Sequence, residues 1–305
     1  MSTHPPISGL VPVLATPFTD DGGLDLDSLE RLIEFQLASS ADGLAIFGMA
    51  SEAFSLSDDE RHQILRTTVA TAHDIPVVAG VSATGLSAAV DQVRVAADGG
   101  AAGVMVLPPH LVKPQPAHLI DFYGGVGEEA QRLDIDVMVQ DAPGATGVQQ
   151  SVALLGELAR LPGVASIKVE APPTVPKIHG VVAEVADTQV VVLGGQNAQF
   201  VLDEYACGAQ GTMPAAEFTD VLREILDRWD EGARKEARAL FARLLPLIVW
   251  GLQAGPAWAV HKEVMHHRGI ISSARVRMPA HTLEPYQREL LDEIVEQLDL
   301  EVRRA

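Results

Sequence analysis

Residues 162–170 read Pro162-Gly163-Val164-Ala165-Ser166-Ile167-Lys168-Val169-Glu170, a glycine step into a short apolar run. The same step recurs at Asp42-Gly43, Ala102-Gly103 and Gln210-Gly211. Outward from Ala165–Lys168, seven further candidate strands follow the same rhythm: Gly9–Ala15, Gly43–Phe47, Val77–Gly80, Gly103–Leu107, Val137–Asp141, Val190–Leu193 and Gly211–Met213. Amphipathic stretches fall between them. Asp27–Leu37 carries Leu29, Leu32, Ile33 and Leu37 at helical spacing, and Ser57 with Glu60 three residues on has the form of a capping box. Further helices are expected at Ser87–Ala97, Ala117–Ala130, Ser151–Leu161, Val175–Val185, Asn197–Ala206 and Ala216–Trp229.

Eight β-then-α units in series predict a parallel sheet, and an eightfold series closes most simply as a (β/α)8 TIM barrel. An open doubly wound sheet is the alternative, but no Gly-x-Gly-x-x-Gly follows the first strand. Three more helical stretches follow, Glu231–Trp250, Pro256–His267 and Glu284–Val302. The expected division is a barrel over residues 1–230 and a C-terminal helical extension over 231–305 that packs on it.

The chain has 305 residues, 47% of them apolar, with 22 Lys and Arg against 41 Asp and Glu, a formal charge of −19. That balance excludes the cationic face a nucleic-acid binder needs and disfavours docking on anionic lipid. A small anionic substrate would need local donors, because the global field repels it. Cys207 is the single cysteine, so neither an intramolecular disulfide nor a cysteine zinc cluster is expected. No basic and apolar leader is read at Met1–Pro6, and the longest apolar run, Leu244–Leu252, contains Pro246 and Gly251 and is too short to span a bilayer. A cytoplasmic setting is expected.

Side chains alternate along a strand, so Ile167 and Val169 face outer helices while Ser166, Lys168 and Glu170 point into the barrel. Burial disfavours an ammonium, and a neutral amine is the species that attacks a ketone to form a Schiff base. The alternative is a lysine that ends the strand and snorkels to solvent. After the second strand, Phe47-Gly48-Met49-Ala50-Ser51-Glu52 has the form of a turn that can offer backbone N–H groups, with Ser51 adding a hydroxyl. It also reads as an ordinary loop in which Glu52 makes a structural bond. On the fifth strand Met138 and Gln140 face inward, and Gln140 can bind a hydroxyl but cannot transfer protons.

These segments, in this order, resemble the dihydrodipicolinate synthase / N-acetylneuraminate lyase family of class I Schiff-base lyases. The likeness begins at Gly9-Leu10-Val11-Pro12-Val13-Leu14-Ala15-Thr16-Pro17-Phe18 and runs through Leu56-Ser57-Asp58-Asp59-Glu60-Arg61, Pro108-Pro109 and Ile167-Lys168 to the C-terminal helices. It implies that Lys168 forms the imine, that a 2-keto acid is the substrate, that no cofactor or metal is needed, and that the protein is a homodimer or homotetramer. The departures narrow the function. The family's Gly-Thr-Thr-Gly-Glu reads Gly48-Met49-Ala50-Ser51-Glu52, its tyrosine pair falls on His110 and Leu111, its Tyr-Asn-x-Pro reads Gln140-Asp141-Ala142-Pro143, and the synthase's arginine falls on Ala145. Dihydrodipicolinate synthase activity is therefore not expected. Val139-Gln140-Asp141-Ala142-Pro143, Lys168-Val169-Glu170-Ala171-Pro172 and Arg275-Val276-Arg277-Met278-Pro279 are similar to the L-2-keto-3-deoxyarabonate dehydratase branch.

The resemblance thus implies dehydration of a 2-keto-3-deoxy sugar acid. Lys168, Gln140, Glu170 and His110 are the candidate catalytic residues, Glu170 and His110 being alternative bases. Gly48, Ala50, Ser51, Gly195 and Met213 are the candidate substrate-binding residues. An aldolase on the same imine chemistry and a catalytically silent keto-acid-binding barrel are the competing readings. His261, His266 and His267 lack the spacing of a helical zinc pair, and Asp20-Asp21-Gly22-Gly23 lacks the order of an EF-hand loop.

Overall fold

The computed structural model describes residues 6–300. Eight strands lie in one parallel sheet: β1 (Gly9–Leu10), β2 (Leu44–Ile46), β3 (Val77–Val81), β4 (Gly103–Val106), β5 (Asp136–Asp141), β6 (Val164–Val169), β7 (Val191–Gly194) and β8 (Gly211–Thr212). Their order is β1-β8-β7-β6-β5-β4-β3-β2. Val13 closes the ring by bridging Ala45 on one side and Ala215 on the other, with Leu14 N donating to Ala45 O at 2.8 Å and Ala45 N to Pro12 O at 2.9 Å. The expected (β/α)8 barrel is the fold.

The helices are α1 (Leu26–Ala38), α2 (Asp58–Thr71), α3 (Leu86–Asp98), α4 (Pro116–Arg132), α5 (Pro143–Thr146), α6 (Val152–Leu158), α7 (Thr174–Glu184), α8 (Val201–Ala206) and α9 (Thr219–Asp230). Three follow the barrel: α10 (Arg234–Trp250), α11 (Ala257–His267) and α12 (Pro285–Leu298). Ser57 and Glu60 form the expected capping box on α2, an arrangement worth about 1 kcal/mol.

Several elements are shorter than their sequence patterns suggested. The first strand is regular only over Gly9–Leu10, and the chain beyond it stays joined to the sheet by single bonds, Val11 N donating to Thr212 O at 3.0 Å and Val13 N to Pro214 O at 2.7 Å. The expected helix at Asn197 begins instead with a separate 3-10 turn, Gln196–Ala198, in which Asn197 is left-handed, so α8 starts at Val201. The last expected helix stops at Leu298, where Asp299 turns left-handed at φ 50, and Val302 lies outside the described residues.

Alternation along the strands separates two apolar layers. Val78, Met105, Met138 and Leu193 meet inside the barrel. Their neighbours Ala79, Val106, Val139 and Ile167 face outward onto Leu29, Leu32, Val93 and Leu155 of the helices. Each such fully buried large aliphatic side chain contributes roughly 1.5–3 kcal/mol. A further core joins Leu202, Phe218 and Leu222 near the barrel's end to Leu247, Val260, Val264 and Leu291, which carries the last three helices onto α8 and α9. No helix among the described residues is long and apolar enough to cross a membrane.

Candidate active site

The inward face of β6 ends in Ser166 and Lys168, and Glu170 continues the alternation just beyond the strand. Lys168 is 3% exposed, and its Nζ lies 3.3 Å from Glu170 Oε1. Across the β5–β6 pair, Gln140 is in register with Lys168. Gln140 Nε2 donates to Glu170 Oε2 at 2.7 Å. Gln196 donates its backbone N–H to Glu170 Oε1 at 3.3 Å and its side-chain amide to the Glu170 carbonyl at 3.0 Å. Donors therefore approach the carboxylate from three elements and fix its orientation. Gly195 makes this possible, since a Cβ there would stand 2.4 Å from Glu170 Cγ.

Gln140 is held from behind. Its carbonyl accepts from Gln150 Nε2 at 3.0 Å, and the Gln150 carbonyl accepts from Lys177 Nζ at 2.6 Å. Lys177 also pairs with Asp141 at 2.6 Å. Burial pushes the Asp141 carboxyl above its ordinary value, with Lys177 opposing and the Glu170 charge adding to the rise. Asp141 thus braces the end of β5.

A cavity of ≈ 200 Å³ opens beside Lys168 and Glu170, bordered by Met49, Ala50, Met213, Trp258 and His261. The lysine therefore has room for a ligand next to its carboxylate partner. A second hollow of ≈ 160 Å³ is lined by Gly48, Phe54, Met105 and Gln140, and Met49 borders both.

The loop after β2 is built from strained backbone. Phe47 and Glu52 are left-handed at φ 59 and φ 53, conformations that surrounding contacts must enforce. A Cβ on Gly48 would meet Val13 Cγ1 at 2.7 Å, so a larger residue cannot cross there unmoved. Ser51 does not offer its proton to the cavity, because its hydroxyl donates to Leu14 O at 2.6 Å. The Met49 and Ala50 amides have no backbone acceptor among the described residues. Trp258 Nε1 donates to Met49 O at 2.6 Å. Glu52 pairs with the fully buried Lys262 at 2.5 Å and accepts from Arg277 N at 2.8 Å. Burial draws the Lys262 amine down to about 8, against the pull of Glu52. Glu52 is thus a structural anchor, and the helices after the barrel hold the loop.

His261, which lines the cavity, belongs to another buried pair. His261 Nδ1 lies 2.7 Å from Glu217 Oε1, and Glu217 Oε2 is buried without a hydrogen-bond partner among the described residues. Asn197 sits nearby, accepting from Ala215 N at 3.0 Å and donating to Ile248 O at 3.3 Å.

The structure thus groups Lys168, Glu170, Gln140, Ala50, Met213 and Gly48 around two adjoining hollows, with Gly195 directly behind Glu170. His110 stands apart. It is half-buried after β4, its Nδ1 is 3.4 Å from Pro108 O, and it lines neither hollow. His261, Glu217, Trp258 and Asn197 were not expected at the site. The histidine was visible in the sequence only as a failed zinc pattern.

The sequence profile of the dihydrodipicolinate synthetase family matches residues 6–298. The chain belongs to that family. It is 34% identical to an L-2-keto-3-deoxyarabonate dehydratase from Azospirillum brasilense over 304 residues, 98% of this chain and 96% of that protein. It is 35% identical to a 4-hydroxy-tetrahydrodipicolinate synthase from Xanthomonas axonopodis pv. citri over 78% of each chain. Among solved structures, dihydrodipicolinate synthase from Rhodopseudomonas palustris superposes with a TM-score of 0.91 at 28% identity, covering 98% of this chain and 100% of that one. A prophage protein of the dihydrodipicolinic acid synthase family from E. coli K12, solved in complex with pyruvate, superposes at 0.88 with 25% identity over 96% and 99%.

Proposed function

We propose that the protein is a Schiff-base lyase that dehydrates a 2-keto-3-deoxy sugar acid. The observation that carries this reading is the Glu170 carboxylate, fixed 3.3 Å from Lys168 Nζ and bonded to Gln140 at 2.7 Å, with open volume beside it. Lys168 adds to the C2 ketone and loses water to give a protonated imine. The imine acidifies the C3 hydrogens. Glu170 takes one of them, its geometry set by Gln140 and Gln196, and the C–H electron pair becomes the enamine double bond. The enamine pair then moves to C3–C4, the C4 hydroxyl leaves as water, and hydrolysis of the imine frees Lys168. In this reading the C1 carboxylate is received by the Met49 and Ala50 amides, which line the cavity and have no backbone acceptor among the described residues.

Likeness over 98% of the chain to a protein named as an L-2-keto-3-deoxyarabonate dehydratase supports the same reading. The competing aldolase reading draws on relatives named as 4-hydroxy-tetrahydrodipicolinate synthases. Cleavage of C3–C4 needs a base at the C4 hydroxyl, and the Gln140 amide cannot act as one.

Borohydride reduction with pyruvate tests the imine, with an adduct on Lys168 expected by mass spectrometry and none in Lys168→Ala. Incubation with L-2-keto-3-deoxyarabonate then separates the enzymes, since a dehydratase gives a product lighter by one water and an aldolase releases pyruvate. Absence of any adduct would leave the silent keto-acid-binding barrel.

A further inference from the structure

Dehydration moves two protons, and the residues assigned so far account for one. Hydroxide is a poor leaving group, so the C4 oxygen needs a proton as its bond to carbon breaks. Of the side chains lining the ≈ 200 Å³ cavity, those that titrate are Lys168, Glu170 and His261. Lys168 is consumed in the imine, and Glu170 holds the proton taken from C3. Neither Gln196 nor Trp258, which share the wall, can transfer a proton. Imidazole can both give and take one near neutrality.

The surroundings of His261 suit that task. The ring is 6% exposed, and its Nδ1 is engaged by Glu217 Oε1 at 2.7 Å. An ionised carboxylate only accepts, so Nδ1 carries hydrogen and Nε2 is the nitrogen left for a ligand. A buried carboxylate behind Nδ1 fixes the orientation of the ring. Gly251 gives the ring its space, because a Cβ there would come within 2.6 Å of His261 Cε1. His261 thus lines the cavity that holds Lys168, while Glu217 braces it from outside the lining.

We propose that His261, oriented by Glu217, is the acid that protonates the departing C4 hydroxyl. The inference rests on the dehydratase reading above. The nitrogen pair of the enamine re-forms C=N, the C2=C3 pair moves to C3=C4, and the C4–O pair stays on oxygen. That oxygen takes the Nε2 proton and leaves as water. His261 is left neutral, and the water that hydrolyses the imine carries the proton from Glu170 back to it.

The test is His261→Asn, whose amide can replace Nδ1 toward Glu217, compared with the wild-type protein in three assays. Borohydride trapping of pyruvate on Lys168 and deuterium exchange into the pyruvate methyl group are expected to stay within about threefold of wild type. Turnover of L-2-keto-3-deoxyarabonate is expected to fall by about 100-fold or more. Glu217→Gln gives an independent arm, with kcat down about tenfold, KM unchanged and trapping retained. Unchanged dehydration in either variant overturns the proposal, and so does parallel loss of trapping and exchange, which would mark the pair as scaffold. If wild-type protein traps and exchanges pyruvate but dehydrates nothing, the underlying reading fails, and this inference with it.

Discussion

Gln140 on β5 and Glu170, one residue past the end of β6, are joined by a 2.7 Å hydrogen bond from Nε2 to Oε2. The bond turns the other carboxylate oxygen toward Lys168 Nζ, 3.3 Å away. A charged acceptor held this way is oriented before substrate arrives, which lowers the entropy cost of proton transfer. In the proposed mechanism Gln140 acts on the reaction through Glu170, in addition to any bond it makes to substrate.

Glu170→Gln should separate imine formation from proton abstraction. Trapping of pyruvate on Lys168 is expected to persist, while deuterium exchange into the methyl group drops by about 100-fold or more. His110→Asn is the matched control and should leave exchange near the wild-type rate, because His110 lines neither hollow. Exchange lost in the histidine variant and kept in the glutamate variant would reverse the assignment.

Gly195→Ala should damage the same step without touching substrate. The new Cβ would lie 2.4 Å from Glu170 Cγ, and the carboxylate is too tightly bonded to withdraw freely. Overpacking of this kind costs roughly 1–3 kcal/mol. A kcat decrease of about tenfold or more with near-normal pyruvate trapping is the expected result in steady-state assays. Wild-type kcat would show that Glu170 has freedom the static geometry conceals.

The inward set Lys168, Glu170 and Gln140 was legible in the sequence because strand alternation is local, and the registers of β5 and β6 preserved it. The eightfold rhythm was legible for the same reason. His261 with Glu217 and Trp258 with Met49 were not, because the contacts span 44 and 209 residues and arise only when α11 folds back over the barrel. No periodicity encodes that return. Ser51 shows the opposite limit: its residue type suggested a donor to substrate, but the turn aims its hydroxyl at Leu14 O.

Trp258→Phe tests whether the helices after the barrel support the substrate loop. The ring would keep its edge contact with Phe54, now 5.2 Å between centroids, and only the indole N–H to Met49 O would be lost. Removing such a bond costs about 1 kcal/mol and frees the strained turn. KM for the keto acid should rise about fivefold with kcat little changed. A kcat effect without a KM effect would place the indole in the chemistry instead.

Glu204 makes a pH-dependent prediction about stability. This fully buried carboxylate on α8 bonds Thr174 Oγ1 at 2.5 Å. Burial raises it from an ordinary 4.5 to about 7, the charges of Glu170 and Asp203 adding and Thr174 opposing. Between those values the folded protein keeps a proton that the unfolded chain releases. Stability therefore falls as pH rises from about 4.5 to about 7, and above that the full cost of the buried charge is present. The shift corresponds to roughly 3 kcal/mol. Glu204→Gln stays neutral and can still accept from Thr174. Its Tm should exceed that of the wild-type protein at pH 8 and match it near pH 4.5, as read by thermal denaturation at the two pH values. An equal gain at both would mean that packing, rather than the carboxylate's charge, limits stability at this position.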